Sequence, residues 1–325
     1  MVRPVAVLVA LLAVLAGCAR PVAGSAVANE SAAREAAEPL TSERALGDIP
    51  SLDYCSLMDQ RAFPQQLGLV AVYPRGSYDY CYFTVQKSGT EARVKIGYLE
   101  DPETISGTDH AVDRRRNPPR GLEVHRGTED DQACVRYLRF TDDLLLTVVA
   151  SIDDRSSRDL CEVADATVDI VIDRVIAKQV KHYEFGEKSV GRLDACGLVP
   201  AELVGAKIGT ARAAPLKFPS GHVCHWTGPE KESAVARLYV TPGESSYDVE
   251  LSKEETFAGR RTVVTPQTFD QDDVAMCQVE TDLFAPSKPP PAEFVLIEVL
   301  VLGKEKDACG PARELAREVW PKLPR

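Results

Sequence analysis

The chain has no surplus of positive charge: 38 Lys and Arg stand against 49 Asp and Glu, a formal net charge of -11. Nucleic-acid binding needs a basic face that displaces counterions from phosphates, and no segment supplies one. Histidine is scarce, with only His110, His125, His182, His222 and His225 in 325 residues. There is no Gly-x-Ser-x-Gly elbow, no His-Glu-x-x-His, no phosphate loop, no dinucleotide glycine motif and no EF-hand spacing. The usual frames of serine hydrolases, zinc proteases, nucleotide binders and calcium sensors are therefore missing. No cofactor and no metal is expected. The N-terminal apolar run, Val5 to Leu15, covers eleven residues, well short of the roughly 20 that span a bilayer.

That run follows Arg3 and leads into Leu15-Ala16-Gly17-Cys18, the layout of an export signal. Small residues directly before a cysteine resemble the bacterial lipoprotein processing box, in which the thiol receives a diacylglycerol. Residues 1–17 then form a lipoprotein signal peptide, and Cys18 becomes an acylated, palmitate-type anchor in membrane lipid. Two or more acyl chains give stable anchoring where one gives marginal binding. Residues 18–47, rich in Ala, Glu, Ser and Pro, read as a flexible tether. The expected location is extracytoplasmic, on the outer face of the cytoplasmic membrane, where disulfides persist.

At 44% hydrophobic and 27% charged residues, the remainder is ordinary globular protein, long enough for two domains. Comparing the chain with itself divides it. Cys55, Cys81, Cys134 and Cys161 are spaced by 26, 53 and 27 residues, and Cys196, Cys224, Cys277 and Cys309 by 28, 53 and 32. Asp53-Tyr54-Cys55-Ser56-Leu57 answers Asp194-Ala195-Cys196-Gly197-Leu198, and Leu67-Gly68 answers Ile208-Gly209. After each second cysteine comes period-two alternation, as in Ala92 to Ile96 and Ala236 to Val240, which reads as half-buried strand. Leu144 to Ser151 and Phe294 to Leu302 read as core strands. After each fourth cysteine, Ala164, Val168, Val171, Ile172 and Val175 match Ala312, Ala316, Val319, Trp320 and Leu323 in offset, the stripe of a packed helix.

The chain is thus read as α+β, two tandem repeats, each an antiparallel sheet with a short N-terminal helix and a C-terminal helix. The first four-cysteine domain is assigned to residues 48–181 and the second to 188–325, joined by the polar stretch Lys181 to Gly191. Each carries its own helices, strands and cysteines and is expected to fold alone.

Asp-x-Cys-x-Leu, a glycine ending the first helix, Cys-x-aromatic, a third cysteine in a strand and a fourth on the closing helix together resemble a family of actinobacterial envelope lipoproteins. That family is known as a domain of unknown function, and is similar to the extracellular sensor domain of a mycobacterial serine/threonine kinase. The resemblance spans residues 48–325, twice over. The family usually carries one such domain per chain, and Phe83 stands where Trp is usual. It implies location and fold, and no activity. Four cysteines per copy allow three pairings, and the repeat asks for the same one in both. The expected set is Cys55–Cys81, Cys134–Cys161, Cys196–Cys224 and Cys277–Cys309.

Three features call for weighing. His222, Cys224 and His225 crowd together, but Cys224 matches Cys81 and should be oxidised, so these histidines read as parts of an exposed strand or turn. Acidic clusters at Glu129-Asp130-Asp131, Asp142-Asp143, Asp153-Asp154 and Asp272-Asp273 read as solvated turns. They keep open the alternative of an envelope hydrolase using paired carboxylates or a histidine. Arg114, Arg115 and Arg116 in copy one and Arg260 and Arg261 in copy two form nearly repeated basic loops, candidates for contact with an anionic ligand. The favoured role is a non-enzymatic binding, sensing or scaffold module of the cell envelope, with an envelope ligand or protein partner. A carrier would show a deep apolar pocket, an adaptor an exposed apolar patch, and a hydrolase a polar cleft with convergent acids or histidines.

Overall fold

Alternating strands whose apolar residues fall on one face must cover that face, and both copies do so with their closing helix. The computed structural model describes residues 37–72, 77–102, 111–152, 159–210, 213–228, 235–242, 250–269, 273–283, 293–303 and 305–325. The export signal, Cys18, most of the tether, His110, Asp153, Asp154 and Asp272 lie outside them.

Among the described residues, copy one forms a seven-stranded antiparallel sheet: β1 Leu69–Val72, β2 Tyr80–Lys87, β3 Thr90–Glu100, β4 Ala111–Val112, β5 Glu123–Glu129, β6 Ala133–Arg139 and β7 Leu145–Ser151, in the order β1-β2-β3-β7-β6-β5-β4. Copy two forms β8 Ala214–Lys217, β9 Val223–Thr227, β10 Val235–Pro242, β11 Lys253–Phe257, β12 Arg260–Phe269, β13 Val274–Asp282 and β14 Glu293–Leu302, in the order β8-β9-β10-β14-β13-β12-β11. The two orders are one topology. Register agrees as well, since Cys81 opposes Ile96 as Cys224 opposes Leu238, and Cys134 opposes Ala150 as Cys277 opposes Val299.

There are five α-helices among the described residues: α1 Ser42–Leu46, α2 Leu160–Ile176, α3 Ala195–Leu198, α4 Ala201–Ile208 and α5 Cys309–Val319. In α2, Val163, Ala164, Thr167, Val168, Val171 and Val175 are buried, a stripe laid against β6 and β7. Thr167 satisfies its hydroxyl within the helix by donating to Val163 O at 2.8 Å. Asp159 starts the helix by accepting from Glu162 N at 3.0 Å. In α5, Ala312, Leu315, Ala316 and Val319 are buried, and Pro321 lies in the 3-10 turn Trp320–Lys322 that ends the packed segment. Trp320 is fully buried and its Nε1 donates to Thr262 Oγ1 at 2.9 Å.

All four disulfides pair first to second and third to fourth cysteine. The repeated Asp-x-Cys has a local cause. Asp53 and Asp194 each cap a short helix by accepting from the backbone N–H of the cysteine two residues on, at 3.0 and 3.1 Å.

Three expectations need correction. In copy one the short helix is a 3-10 turn, Gln65–Leu67, where copy two has the α-helix α4 ending at Gly209 with φ 76°. Pro64 directly precedes that turn and two glutamines fill it, leaving no apolar stripe to stabilise a longer helix. The tether stops earlier than residue 47: Leu40, Ala45 and Leu46 are buried in copy one's core, and Ser42 N donates to Asp142 at 3.0 Å. Finally, the stretch from Lys181 to Gly191 is packed. Leu52 forms a bridge with His182, and Tyr183 and Phe185 lie against copy two's core, which also contains Tyr78 from copy one.

Candidate functional site

The closing helix occupies one face of each sheet and leaves the other free to meet its counterpart. On β2 and β3, Cys81, Phe83, Val94 and Ile96 are fully buried in the core, while Tyr80, Tyr82 and Lys95 alternate onto the far face. On β9, β10 and β14, Trp226, Leu238 and Ile297 point into copy two's core, while His225, Arg237, Tyr239, Leu296 and Glu298 take the far face. Pro39 to Arg325 form one unit, and these far faces approach each other within it.

Corresponding segments meet at the junction. Ser77-Tyr78-Asp79-Tyr80-Cys81 and Ser220-Gly221-His222-Val223-Cys224 hold the same positions relative to the second cysteine. Ser220 Oγ donates to Asp79 across the junction, and Ser77 Oγ donates to it at 3.5 Å. Asp79 N–H returns a bond to Ser77 Oγ at 3.2 Å. Asp79 is 2% exposed. Burial raises its carboxyl above the ordinary range, against the lowering effect of His222, Ser220 and Ser77. The Tyr78 ring lies 4.9 Å from that of His222, and its hydroxyl donates to Glu293 Oε1 at 2.5 Å. Glu293 also accepts from Ser189 Oγ and, at 3.0 Å, from Val190 N.

The expectation that the histidines lie on an exposed strand or turn is overturned. His222 is fully buried, its Nε2–H donating to Gly191 O at 2.9 Å. His225 is half-buried, and burial, followed by the charge of Arg237, pushes its imidazole down to about 4. Cys224 is bonded to Cys196, so its sulfur is no metal ligand. The only cluster of metal-ligating side chains among the described residues, Glu129 with Cys134 and Cys161, has both sulfurs in a disulfide.

Two hollows border the junction. The larger, about 730 Å³, is lined by Asp48, Ser51, Tyr183, Phe185, Lys217 and Ser220 among others. Its cations are already engaged: Lys217 pairs with Asp194 at 2.6 Å, and Arg192 donates twice to Phe185 O at 2.7 and 3.1 Å. The smaller, about 230 Å³, is lined by Ser77, Tyr80, Tyr98, Tyr239, Thr241, Phe294, Leu296 and Glu298, so each copy supplies part of it. A chain of ring contacts links the lining residues Tyr80, Tyr98 and Tyr239 through Phe218 and His225, which do not line it. Tyr80 and Tyr98 have centroids 5.3 Å apart, Tyr98 and Phe218 5.8 Å, Phe218 and His225 5.0 Å, and His225 and Tyr239 5.9 Å.

A bulge places Tyr98. The β3–β7 register shifts between Ile96 and Leu99, which leaves Tyr98 off the core face. In copy two the regular strand β10 buries Val240, whose N–H bonds His222 O at 2.9 Å as Tyr98 N–H bonds Asp79 O at 3.1 Å. Gly97 permits the bulge. Its φ is 141°, and a Cβ there would stand 2.3 Å from Asp79 O and 2.4 Å from Tyr80 Cα.

Arg237 donates to Glu298 Oε2 at 2.9 Å. Its Nε and the Nε2 of His225 are buried with no hydrogen-bond partner among the described residues, an expense a protein ordinarily avoids. The Lys95 ammonium stands over the rings of Tyr98 and Tyr80, 4.7 and 5.9 Å from their centroids. Burial pushes the Tyr80 phenol up to about 12 and those of Tyr98 and Tyr239 further, so all three stay neutral.

The basic loops do not join this site. Arg115 makes a bidentate bond to Asp113 at 2.9 Å, and Arg116 pairs with Asp169 and Asp165. Arg114 is exposed. Arg260 donates to Leu323 O and Pro324 O at 2.9 and 2.6 Å, tying down the C-terminus, and Arg261 pairs with Glu254 and Asp282. Four carboxylates from the acidic clusters are used locally. Glu129 pairs with Arg136 at 2.8 Å, Asp130 accepts from Gln132 N and Ala133 N, Asp142 caps α1, and Asp143 pairs with Arg139.

Searches against family models, curated proteins and solved structures give no match. The junction tyrosines were not singled out by motif, yet they left a trace. Tyr78, Tyr80 and Tyr82 alternate with Cys81 and Phe83, so both faces of the strand carry large rings, as a strand covered on both sides would.

Proposed function

We propose that this protein is an envelope lipoprotein, anchored through Cys18 on the outer face of the membrane, whose two copies bind an envelope ligand jointly at their junction. The observation that carries the reading is the small hollow. Two non-core sheet faces that would ordinarily be polar supply three tyrosines, a phenylalanine and Glu298, itself paired with Arg237, to one concavity. The processing box and the four disulfides support the location. The resemblance to actinobacterial envelope lipoproteins points the same way, and a sensing or scaffold role fits the same site.

Two measurements test this. Replacing Cys18→Ala is expected to release the protein from membranes into the medium, or to leave it unprocessed; a processed N-terminus with full membrane retention refutes the anchor. Hydroxyl-radical footprinting of the released protein, with and without solubilised envelope material, is expected to show Tyr98 and Tyr239 protected together. Protection confined to one copy, or none at either ring, refutes a joint site.

A further inference from the structure

We infer that the hollow between the copies takes a single neutral, hydroxyl-rich ring, a sugar unit of an envelope glycan; this rests on the junction being the binding site. Size sets the first limit. At about 230 Å³ the hollow is smaller than the roughly 300–1,000 Å³ that enclose drug-sized ligands, so it admits one ring-sized unit and not an acyl chain or a folded peptide.

Charge sets the second. Arg237 and Glu298 neutralise each other at 2.9 Å. His225, pushed down to about 4 by burial and by Arg237, carries no charge near neutral pH. A ligand cation aimed at the rings would meet the Lys95 ammonium, which already stands 4.7 Å from the Tyr98 centroid. A ligand anion would face Glu298, with the guanidinium already committed to that carboxylate. What remains favourable is a neutral molecule.

The lining chooses among neutral molecules. Tyr80, Tyr98, Tyr239 and Phe294 offer ring faces and edges to the C–H side of a sugar. The hydroxyls of Ser77 and Thr241 and the carboxylate of Glu298 line the same space, able to accept from or donate to ring hydroxyls. Ser77, Thr241 and Glu298 keep lone pairs beyond the bonds they already make, which a purely apolar ring would leave unused.

The experiment uses the full chain with Cys18→Ala, oxidised, and follows ligand-observed NMR and calorimetry. The probes are glucose, mannose, arabinose, galactose and N-acetylglucosamine, with choline chloride and inorganic phosphate as charged controls. At least one sugar is expected to bind in the millimolar range, with affinity falling at least tenfold in Tyr98→Ala and in Tyr239→Ala. Choline and phosphate are expected not to bind. Tyr98→Phe should fold normally and retain most of the affinity, which guards against misreading an unfolded variant. Binding of choline or phosphate in a Tyr98-dependent way overturns the neutral-ring assignment. Silence of every sugar also overturns it, and footprinting with envelope material then decides separately whether the joint site stands.

Discussion

Two residues after its third cysteine, copy one buries Arg136 at 1% exposure, while copy two buries Val279 at the same offset. Three contacts hold Arg136: Nε donates to Asp165 at 2.6 Å, and Nη1 reaches Glu129 at 2.8 Å and Val135 O at 3.0 Å. Asp165 lies four residues after Cys161. At the same offset from Cys309, copy two has Arg313, which turns instead to Glu255 at 2.7 and 2.9 Å. One slot between sheet and closing helix is filled by an ion network in one copy and by a methyl cluster in the other, with no change in strand order. Topology here follows from the apolar pattern and the cysteine positions, and the chemistry within a slot is free to drift once its neighbours adjust.

The comparison breaks most visibly if the staples are not equivalent. The bridges close 26 to 32 residues, each contributing about 3.5 kcal/mol in the chain-entropy description. The pair Cys134→Ala with Cys161→Ala and the pair Cys277→Ala with Cys309→Ala are therefore expected to lose similar stability in urea unfolding. A difference above about 1 kcal/mol would mean that the copies rest on their staples unequally, beyond what loop length explains.

A somewhat smaller effect sharpens the contrast at Arg136. Removing the guanidinium leaves Asp165 and Glu129 beside a buried apolar stem, so Arg136→Met is expected to cost about 3 kcal/mol. Adding Asp165→Leu should recover part of the loss, because an apolar pair can replace a buried ion pair of similar volume. Val279→Ala in copy two should cost about 2 kcal/mol through its cavity alone. If the double variant is weaker than Arg136→Met, the network is doing more than filling the slot.

The layer architecture, the closing helices and the cysteine pairs were legible because each follows from a repeated local rule. Ala164 to Val175 and Ala312 to Leu323 keep helical spacing, and Asp53 and Asp194 cap the helix that carries the first cysteine. The junction was far less legible. Asp79 and His222 differ in type at equivalent positions, and their burial depends on a tertiary approach that no local pattern encodes. The bulge at Gly97 moves Tyr98 off its core face by one residue, which periodicity alone does not reveal. The boundary at residue 188 likewise hid a shared core, since Tyr78, Tyr183 and Phe185 all pack against copy two, and excision there would strip Tyr78 from Glu293.

The smallest predicted effect concerns acid, and it separates the copies by one residue. Directly after the second cysteine, copy one carries Tyr82, 39% exposed and not charged by acid, whereas copy two carries His225, half-buried. Burial first, and Arg237 second, push the His225 imidazole down to about 4 from its ordinary 6.5. Between those values the unfolded chain takes up a proton that the folded chain refuses. Folding stability is therefore whole above pH 6.5 and falls as the pH drops from 6.5 towards 4, by about 2 kcal/mol after allowing for partial solvation. Below 4 both states are protonated and this loss stops growing. His225→Gln, neutral throughout, should flatten the unfolding free energy across that window, and His225→Tyr, which installs copy one's residue, should do the same if the site accommodates the ring. Asp79 acts in the opposite sense, because its raised carboxyl favours the folded state on acidification, so Asp79→Asn should steepen the acid loss that His225→Gln removes. Urea midpoints from pH 7 to pH 4 decide the matter. An unchanged slope in His225→Gln would mean that the imidazole is protonated in the fold and that the junction meets solvent more freely than its packing indicates.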